Sequence, residues 1–177
     1  MSPRLHIIAD RRAFAGAQQH RDRRGVSGKL AASPLPEKAR PLMNRYLAAY
    51  AGTFVVMIAL DLLWLGVIAK PMYQKGLGTL MLEQPNWPVA AAFYAVFALG
   101  LVIFGVAPQE PARSWPHTLT MAALFGFFCY ATYDLTNLAT LKGWPVGLSM
   151  MDMAWGTLVS VAAVAGGKAV MGWAGRA

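Results

Sequence analysis

The sequence predicts an all-α integral membrane protein in which four transmembrane helices form an up-down-up-down bundle. Of its 177 residues, 56% are hydrophobic and only 14% are charged, whereas soluble domains carry about 25% charged residues. Several apolar runs of roughly 20 residues follow one another, and a helix of that length crosses a hydrocarbon core of about 30 Å. Polar segments separate these runs, so consecutive helices are expected to run in opposite directions. The lipid bilayer is therefore the first expected partner.

Residues 1–43 differ in charge from the rest of the chain. They hold nine Lys or Arg against three Asp or Glu, whereas residues 44–177 hold seven against five. Without apolar periodicity the segment cannot bury enough surface to offset its ordering entropy, so a basic disordered tail is predicted. A four-span membrane domain is predicted to follow in residues 44–177. Met43-Asn44-Arg45 resembles a translation start, which would make the tail an upstream extension; a tail that docks on anionic lipid is the alternative. No nucleic-acid partner is expected, because the tail lacks a recognition motif.

The first predicted span covers residues 46–69 and is interrupted once, by Asp61. A signal peptide would have a shorter apolar region followed by a small-residue cleavage site, and neither feature is present. Pro71 ends the span, because proline disfavours helix in the residue before it. The connection that follows contains an apolar stretch, residues 77–82, which is expected to lie along the interface or to dip into the bundle.

Three further spans are predicted at residues 87–107, 117–141 and 150–170. The second carries no charge and opens with Trp87, which fits an interfacial anchor. The third reaches a polar cluster in its last third. The fourth contains small residues four apart, such as Gly156 and Ser160, which permit close helix packing. A central position in the bundle is therefore expected for the fourth span.

Four spans place both termini on the same side of the membrane. Lysine and arginine are enriched in cytoplasmic loops. The side of the termini carries Arg45, Arg113, Lys168 and Arg176, and the opposite side carries Lys70, Lys75 and Lys142. The basic tail adds to the first group, so cytoplasmic termini are predicted.

Three carboxylates interrupt the apolar runs at a similar expected depth, on the side away from the termini. Ionisable groups inside a membrane usually face the bundle interior or a wet cavity. Each acid also has a partner three residues on, and residues three apart share a helix face. The sequence therefore predicts a polar pocket near the outer leaflet, formed by Asp61, Trp64, Tyr73, Tyr130, Tyr133, Asp134, Thr136, Asn137, Asp152 and Trp155.

Such a pocket suits cation binding, proton coupling or general acid–base chemistry, because three carboxylates close together in a low dielectric cannot all be ionised cheaply. Structural alternatives stand beside this hypothesis. Asp152 can serve as a helix N-cap, and Asp134 can lie at interface depth and bond to the next turn. The aromatic residues can be belt anchors.

No cofactor and no metal are expected. His6, His20 and His117 lie in the tail or at the mouth of a span, and no HExxH, CxxC or histidine-rich pattern indicates zinc. The nucleophile elbow, the P-loop and the dinucleotide fingerprint are all missing from the sequence. Cys129 is the single cysteine, so an intrachain disulfide is excluded, and its apolar surroundings predict an inert buried side chain.

Three motifs carry a resemblance to a known family. They are Asp61-Leu-Leu-Trp-Leu-Gly66, Tyr130-Ala-Thr-Tyr-Asp-Leu-Thr-Asn137 with the segment that runs on to Pro145, and Asp152-Met-Ala-Trp-Gly156. From residue 43 to about residue 172 the chain resembles a bacterial family of predicted inner-membrane proteins, domain-of-unknown-function family 2177. The resemblance implies a four-span protein of the bacterial cytoplasmic (inner) membrane and carries no established activity. Family members occur near lipid-modifying enzymes, which favours a role in lipid or envelope metabolism by association.

Three functional hypotheses follow. In the first, the protein is not an enzyme: its pocket binds a polar solute, a cation or a lipid headgroup, and the chain forms a homo-oligomer if a pathway is needed. In the second, the protein is a membrane-embedded enzyme that acts on lipid, with Asp61 or Asp134 as general acid or base. In the third, it is a scaffold for a lipid-metabolism enzyme as partner, and the acids are structural.

Overall fold

The computed structural model describes residues 39–107 and 114–175, and within these ranges the chain is helical, with no strand. The five α-helices are α1 (Ala39–Leu63), α2 (Lys70–Leu77), α3 (Trp87–Gly100), α4 (Trp115–Thr140) and α5 (Val146–Ala174). A π-helical segment continues α1 over Trp64–Ile68, another continues α3 over Leu101–Val106, and a 3-10 turn spans Gly78–Leu80. The predictions for residues 1–38 of the basic tail, for Arg113 and for Arg176 lie outside the described residues, whereas residues 39–43, predicted as the disordered end of that tail, are helical and begin α1.

Three helical segments are long and apolar enough to cross a membrane, judged by length and composition: Leu42–Ile68, Trp87–Val106 and Val146–Ala174. They overlap the predicted spans 46–69, 87–107 and 150–170. Helix α4 is also long, at 26 residues, but it is not among them, and polar residues interrupt its second half. The all-helical prediction is confirmed for the described residues, and the four-span bundle stays a prediction.

Helix α5 occupies the centre of the helical packing, since both α1 and α4 pack along it. Small residues make this closeness possible. A Cβ atom added to Gly126 of α4 would lie 2.3 Å from the carbonyl oxygen of Gly156 and 2.3 Å from the Oγ of Ser160. On the other side, a Cβ atom added to Gly167 would lie 2.0 Å from the Oγ1 of Thr53 in α1. The backbones therefore approach each other where only glycine leaves room.

The packed interior and the outer surface are both apolar. Met57, Leu101, Val159 and Val164 are among the largest fully buried side chains of the core. Large apolar residues are also exposed on every long helix, among them Val55, Val96, Phe128 and Leu158. An outer face of this kind belongs in lipid, where exposed apolar side chains carry no penalty.

The connections between helices depend on proline, glycine and one cap. Pro71 stands in the first turn of α2, and Gly78, with a φ of +50°, ends that helix in a conformation that glycine adopts readily. The side chain of Asn86 accepts a hydrogen bond from the backbone N–H of Val89, 3.3 Å away, and so caps α3. Helix α5 begins at Val146, four residues earlier than the predicted span, because Pro145 is its N-cap residue.

Candidate functional site

The three intramembrane acids lie near the same end of the helix bundle. Asp61 stands seven residues before the end of the Leu42–Ile68 segment, and Asp152 stands six residues after the start of α5. Asp134 stands six residues before the end of α4. At 1.5 Å per residue each acid is therefore about 10 Å from a helix end. Asp61 and Asp152 line one cavity and Asp134 lies near Asp152, so the three acids are close together.

A cavity of about 400 Å³ opens at this level. Its walls consist of two acids, six aromatic residues, one leucine and one cysteine. They are Asp61, Leu65, Tyr73, Phe93, Phe97, Cys129, Tyr130, Tyr133, Asp152 and Trp155. Six of the ten residues of the predicted pocket are in this set, and they come from four different helices.

Asp61 is held by tryptophan. Its side chain is 3% exposed, and its Oδ1 accepts a hydrogen bond of 2.8 Å from the Nε1–H of Trp155. The ring of Trp155 in turn stacks on the ring of Trp64, with centroids 4.3 Å apart and planes 6° apart. Trp64 thus supports the cavity from behind. Since the two tryptophans stack on each other, the alternative that they are separate belt anchors is not favoured.

Asp152 is held by tyrosine. It is 4% exposed, and its Oδ1 accepts a hydrogen bond from the hydroxyl of Tyr73 in α2. Burial, reinforced by this hydrogen bond, raises the pKa of Tyr73 well above its ordinary value of 10.0, so the phenol stays neutral and remains a donor. The N-cap alternative for Asp152 is wrong, because α5 begins six residues earlier and its N-cap is Pro145.

Asp134 lies behind the cavity wall and does not line the cavity. It is completely buried between α4 and α5, beside Trp144 and Ser149. Those two side chains bond to each other, with the Nε1–H of Trp144 donating to the Oγ of Ser149 over 3.0 Å. Both side chains are placed to donate to the carboxyl group of Asp134, at distances or angles outside strict hydrogen-bond geometry. The interface-depth alternative for Asp134 does not fit this burial.

Asp134→Asn is expected to leave the thermal unfolding midpoint unchanged or to raise it by a few degrees. The Ser149 and Trp144 donors beside the carboxyl group can donate to an amide oxygen as well, and ionising a fully buried carboxyl group is costly. Tyr73→Phe is the comparison, because it removes the donor to Asp152 and is expected to lose about 1 kcal/mol of stability. Thermal unfolding in detergent measures both. A lower midpoint for Asp134→Asn than for Tyr73→Phe would contradict the placement of Asp134.

Two predicted residues stand outside the cavity. Thr136 is exposed, and its hydroxyl donates to the carbonyl oxygen of Thr132 over 2.6 Å. Asn137 is half-buried, and its side chain lies beside the hydroxyl group of Tyr133. Both residues follow Asp134 on α4, and the Asp134 side chain also points away from the cavity.

Sequence reasoning missed the contribution of α3. Phe93 and Phe97 line the cavity, and the Tyr94 side chain between them lies beside Asp61. Helix α3 carries no charge, so the polar residues that indicated the pocket gave no signal there. The spacing of Phe93 and Phe97, four residues apart on one helix face, is the signal that was available. Cys129, which was expected to be simply buried, is half-buried in the cavity wall.

The side chains in and around the cavity can be compared with the ligand sets of metal sites. Within residues 39–107 and 114–175, no three residues of the types His, Cys, Asp and Glu come together as metal ligands. The two carboxylates of the cavity are joined there by phenol, indole and phenyl groups. The cavity thus combines two carboxyl groups with aromatic surface.

A family model described as "Predicted membrane protein (DUF2177)" matches residues 46–169, which include every residue of the cavity. Searches of curated proteins and of solved structures give no match.

Proposed function

Because the chain belongs to the DUF2177 family of predicted membrane proteins, we propose that it is a four-span membrane protein whose cavity binds a cation or a cationic headgroup. One observation carries the proposal. Asp61 and Asp152, on different helices and each more than nine-tenths buried, both line one cavity of about 400 Å³. Among the described residues that line it, none is Lys, Arg or His.

Helix α4 is the fourth span in this proposal. Its 26 residues extend over about 39 Å, which exceeds a hydrocarbon core of about 30 Å. Its charged residue, Asp134, is buried inside the bundle, whereas large apolar residues such as Phe128 and Leu135 are exposed. The exposed threonines Thr132 and Thr136 donate to carbonyl oxygens one turn back, so their hydroxyl groups are satisfied without water.

The orientation follows from the charges. The cavity lies at the end of the bundle opposite the start of α1 and the end of α5. Arg45 and Lys168 belong to the other end, and Lys70, Lys75 and Lys142 to the cavity end. Counting the nine Lys and Arg of residues 1–43 as well, we assign the end of Arg45 to the cytoplasm of a bacterial cell under the positive-inside rule. The cavity then opens near the outer leaflet of the inner membrane.

The electrostatics support a cationic ligand. A charge in a low-dielectric environment is costly unless it is paired or hydrogen-bonded. Asp61 receives a hydrogen bond from Trp155 and lies beside the hydroxyl group of Tyr94, and Asp152 receives a hydrogen bond from Tyr73. These donors are neutral, so they orient the carboxylates without cancelling their charge. A bound cation would supply the missing counter-charge.

The test is a thermal-stability screen of the purified protein in detergent, with Na⁺, K⁺, Mg²⁺, ethanolamine and choline as probes. At a concentration 100 times its Kd, a ligand stabilises the folded state by about 2.7 kcal/mol. We expect at least one cation to raise the unfolding midpoint by several degrees. The rise should disappear in Asp61→Asn and in Asp152→Asn.

The matched control is Glu83→Gln, which removes a carboxylate from an exposed loop outside the cavity. It should respond to the cation as the unmodified protein does. The proposal is wrong if no cation raises the midpoint, or if the two cavity variants respond as strongly as the control.

A further inference from the structure

We infer that the cation is an organic ammonium group, either the headgroup of a lipid or a free amine; this inference rests on the function proposed above. The observation behind it is the aromatic wall. Rings from four helices, among them Tyr73, Phe93, Tyr130 and Trp155, surround the two carboxylates. Aromatic faces attract alkylammonium groups through the ring quadrupole, and aromatic cages are the usual sites for quaternary ammonium ligands.

The rings are arranged as adjoining walls. Phe93 and Phe97 lie with centroids 5.6 Å apart and planes 25° apart, so they form one continuous surface. The ring of Tyr130 meets Phe97 edge-on, with centroids 6.0 Å apart and planes 79° apart. Two walls at nearly a right angle thus border the cavity. Trp155 is fixed against Trp64 and Asp61, so its ring is already oriented before a ligand binds.

The donor set fits an organic cation better than a metal ion. Ca²⁺ takes about 6–8 oxygen ligands, and Mg²⁺ requires near-octahedral geometry. The cavity offers two carboxylates, and no third residue among the described acids, cysteines and histidines joins them as a ligand. A volume of about 400 Å³ lies within the range of small-molecule pockets. An ammonium group with its alkyl substituents uses both the charge and the apolar surface.

The cavity mouth gives an amphiphile access. Leu65, beyond Asp61 in the π-helical segment, is 43% exposed, and Phe93 of α3 is 45% exposed. These side chains belong to the apolar outer surface and also line the cavity. Leu65 stands three residues before the end of its segment and Phe93 six residues after the start of its own, so the opening lies about 5–9 Å from the helix ends. A headgroup can therefore enter from the membrane while its acyl chains remain in lipid.

The first experiment compares choline with 3,3-dimethyl-1-butanol, which has nearly the same shape and no charge. Binding is measured by isothermal titration calorimetry on the full chain in detergent. Choline should bind at least tenfold more tightly than the neutral alcohol. Phe93→Leu, which keeps an apolar side chain but removes a ring face, should weaken choline binding by about two- to thirty-fold. Phe128→Leu, an exposed phenylalanine outside the cavity, is the control and should bind choline unchanged.

The second experiment identifies the source of the ammonium group. The protein in detergent is titrated with three probes in turn: micelles that contain phosphatidylethanolamine, micelles that contain phosphatidylglycerol, and lipid-free detergent with ethanolamine. Tighter binding of phosphatidylethanolamine than of the other two assigns a lipid headgroup, and tighter binding of free ethanolamine assigns a soluble amine. Either outcome supports the inference, provided that Asp61→Asn abolishes the tighter binding.

Failure of the ammonium inference can be distinguished from failure of the proposed function. If Na⁺, K⁺ or Mg²⁺ stabilises the protein through Asp61 and Asp152 while choline and ethanolamine do not bind, the ammonium inference is wrong and the proposed function stands. If choline and its neutral analogue bind equally, the cavity recognises shape alone and the inference is also wrong. If no cation of any kind binds, both proposals are wrong.

Discussion

Gly126→Ala is expected to remove most of the folded protein from the membrane. The added Cβ atom would lie 2.3 Å from both the carbonyl oxygen of Gly156 and the Oγ of Ser160, and 2.7 Å from the Cβ of Ser160. The first of these atoms belongs to the backbone of α5, so rotating a side chain cannot relieve the overlap. Helices α4 and α5 would have to separate along their contact. We expect a cost of about 3 kcal/mol or more, at the upper end of the range for overpacked cores.

The measurement is the amount of inserted protein in the membrane fraction, together with thermal unfolding of the protein that can be purified. Gly147→Ala is the matched control, because a Cβ atom at that position of α5 meets no atom within 4 Å. It should accumulate normally, since alanine favours helix by about 1 kcal/mol over glycine. Normal accumulation and an unchanged midpoint for Gly126→Ala would show that α4 and α5 do not approach each other as described.

Trp155→Phe is expected to cause the largest loss of stability among substitutions in the cavity. The change removes the indole N–H that donates to Asp61, and it leaves a carboxylate that is 3% exposed without this donor. An orphaned buried group of this kind costs about 1–3 kcal/mol, and more when it is charged. The smaller ring also reduces the stacking contact with Trp64, and aromatic pairs contribute about 0.5–1.5 kcal/mol.

Thermal or denaturant unfolding in detergent measures this loss. Trp173→Phe is the control, since Trp173 is 69% exposed on the same helix, and it should change stability little. The double variant Trp155→Phe with Asp61→Asn adds a sharper test. If the hydrogen bond couples the two residues, the loss in the double variant should differ from the sum of the single losses by at least about 0.5 kcal/mol. Additive losses would contradict the coupling.

Helix existence and the depth of the acids could be predicted from the sequence. Long apolar runs and proline breaks indicate the helices, and counting residues from the helix ends places Asp61 and Asp152 at one level. The three-residue spacing from Asp61 to Trp64 and from Asp152 to Trp155 also predicts shared faces. In the structure Asp61, Trp64 and Trp155 form one connected group, and Asp152 lines the same cavity.

The rotation of each helix about its axis could not be predicted. A helix that is apolar on all sides has no hydrophobic face to orient it. For α4, the contact between Gly126 and Gly156 sets the rotation, and it turns Asp134 into the α4–α5 interface while Tyr130 lines the cavity. The polar cluster of α4 therefore divides between two environments, although it is continuous in the sequence. The aromatic wall of α3 was missed for the related reason that a charge-free helix shows no polar signal.

The contact at Gly156 couples the stability of the fold to the selectivity of the cavity, because one residue contacts both the neighbouring helix and the cavity wall. A Cβ atom at this position would lie 2.1 Å from the Tyr130 ring, which forms part of the cavity wall. The carbonyl oxygen of Gly156 faces Gly126. Any larger side chain there must displace the wall and the neighbouring helix together. Mutation at this position therefore cannot adjust the ligand without also changing stability. New ligand preferences would have to arise at the rim, where Leu65 and Phe93 are exposed and can vary independently of the helix contact.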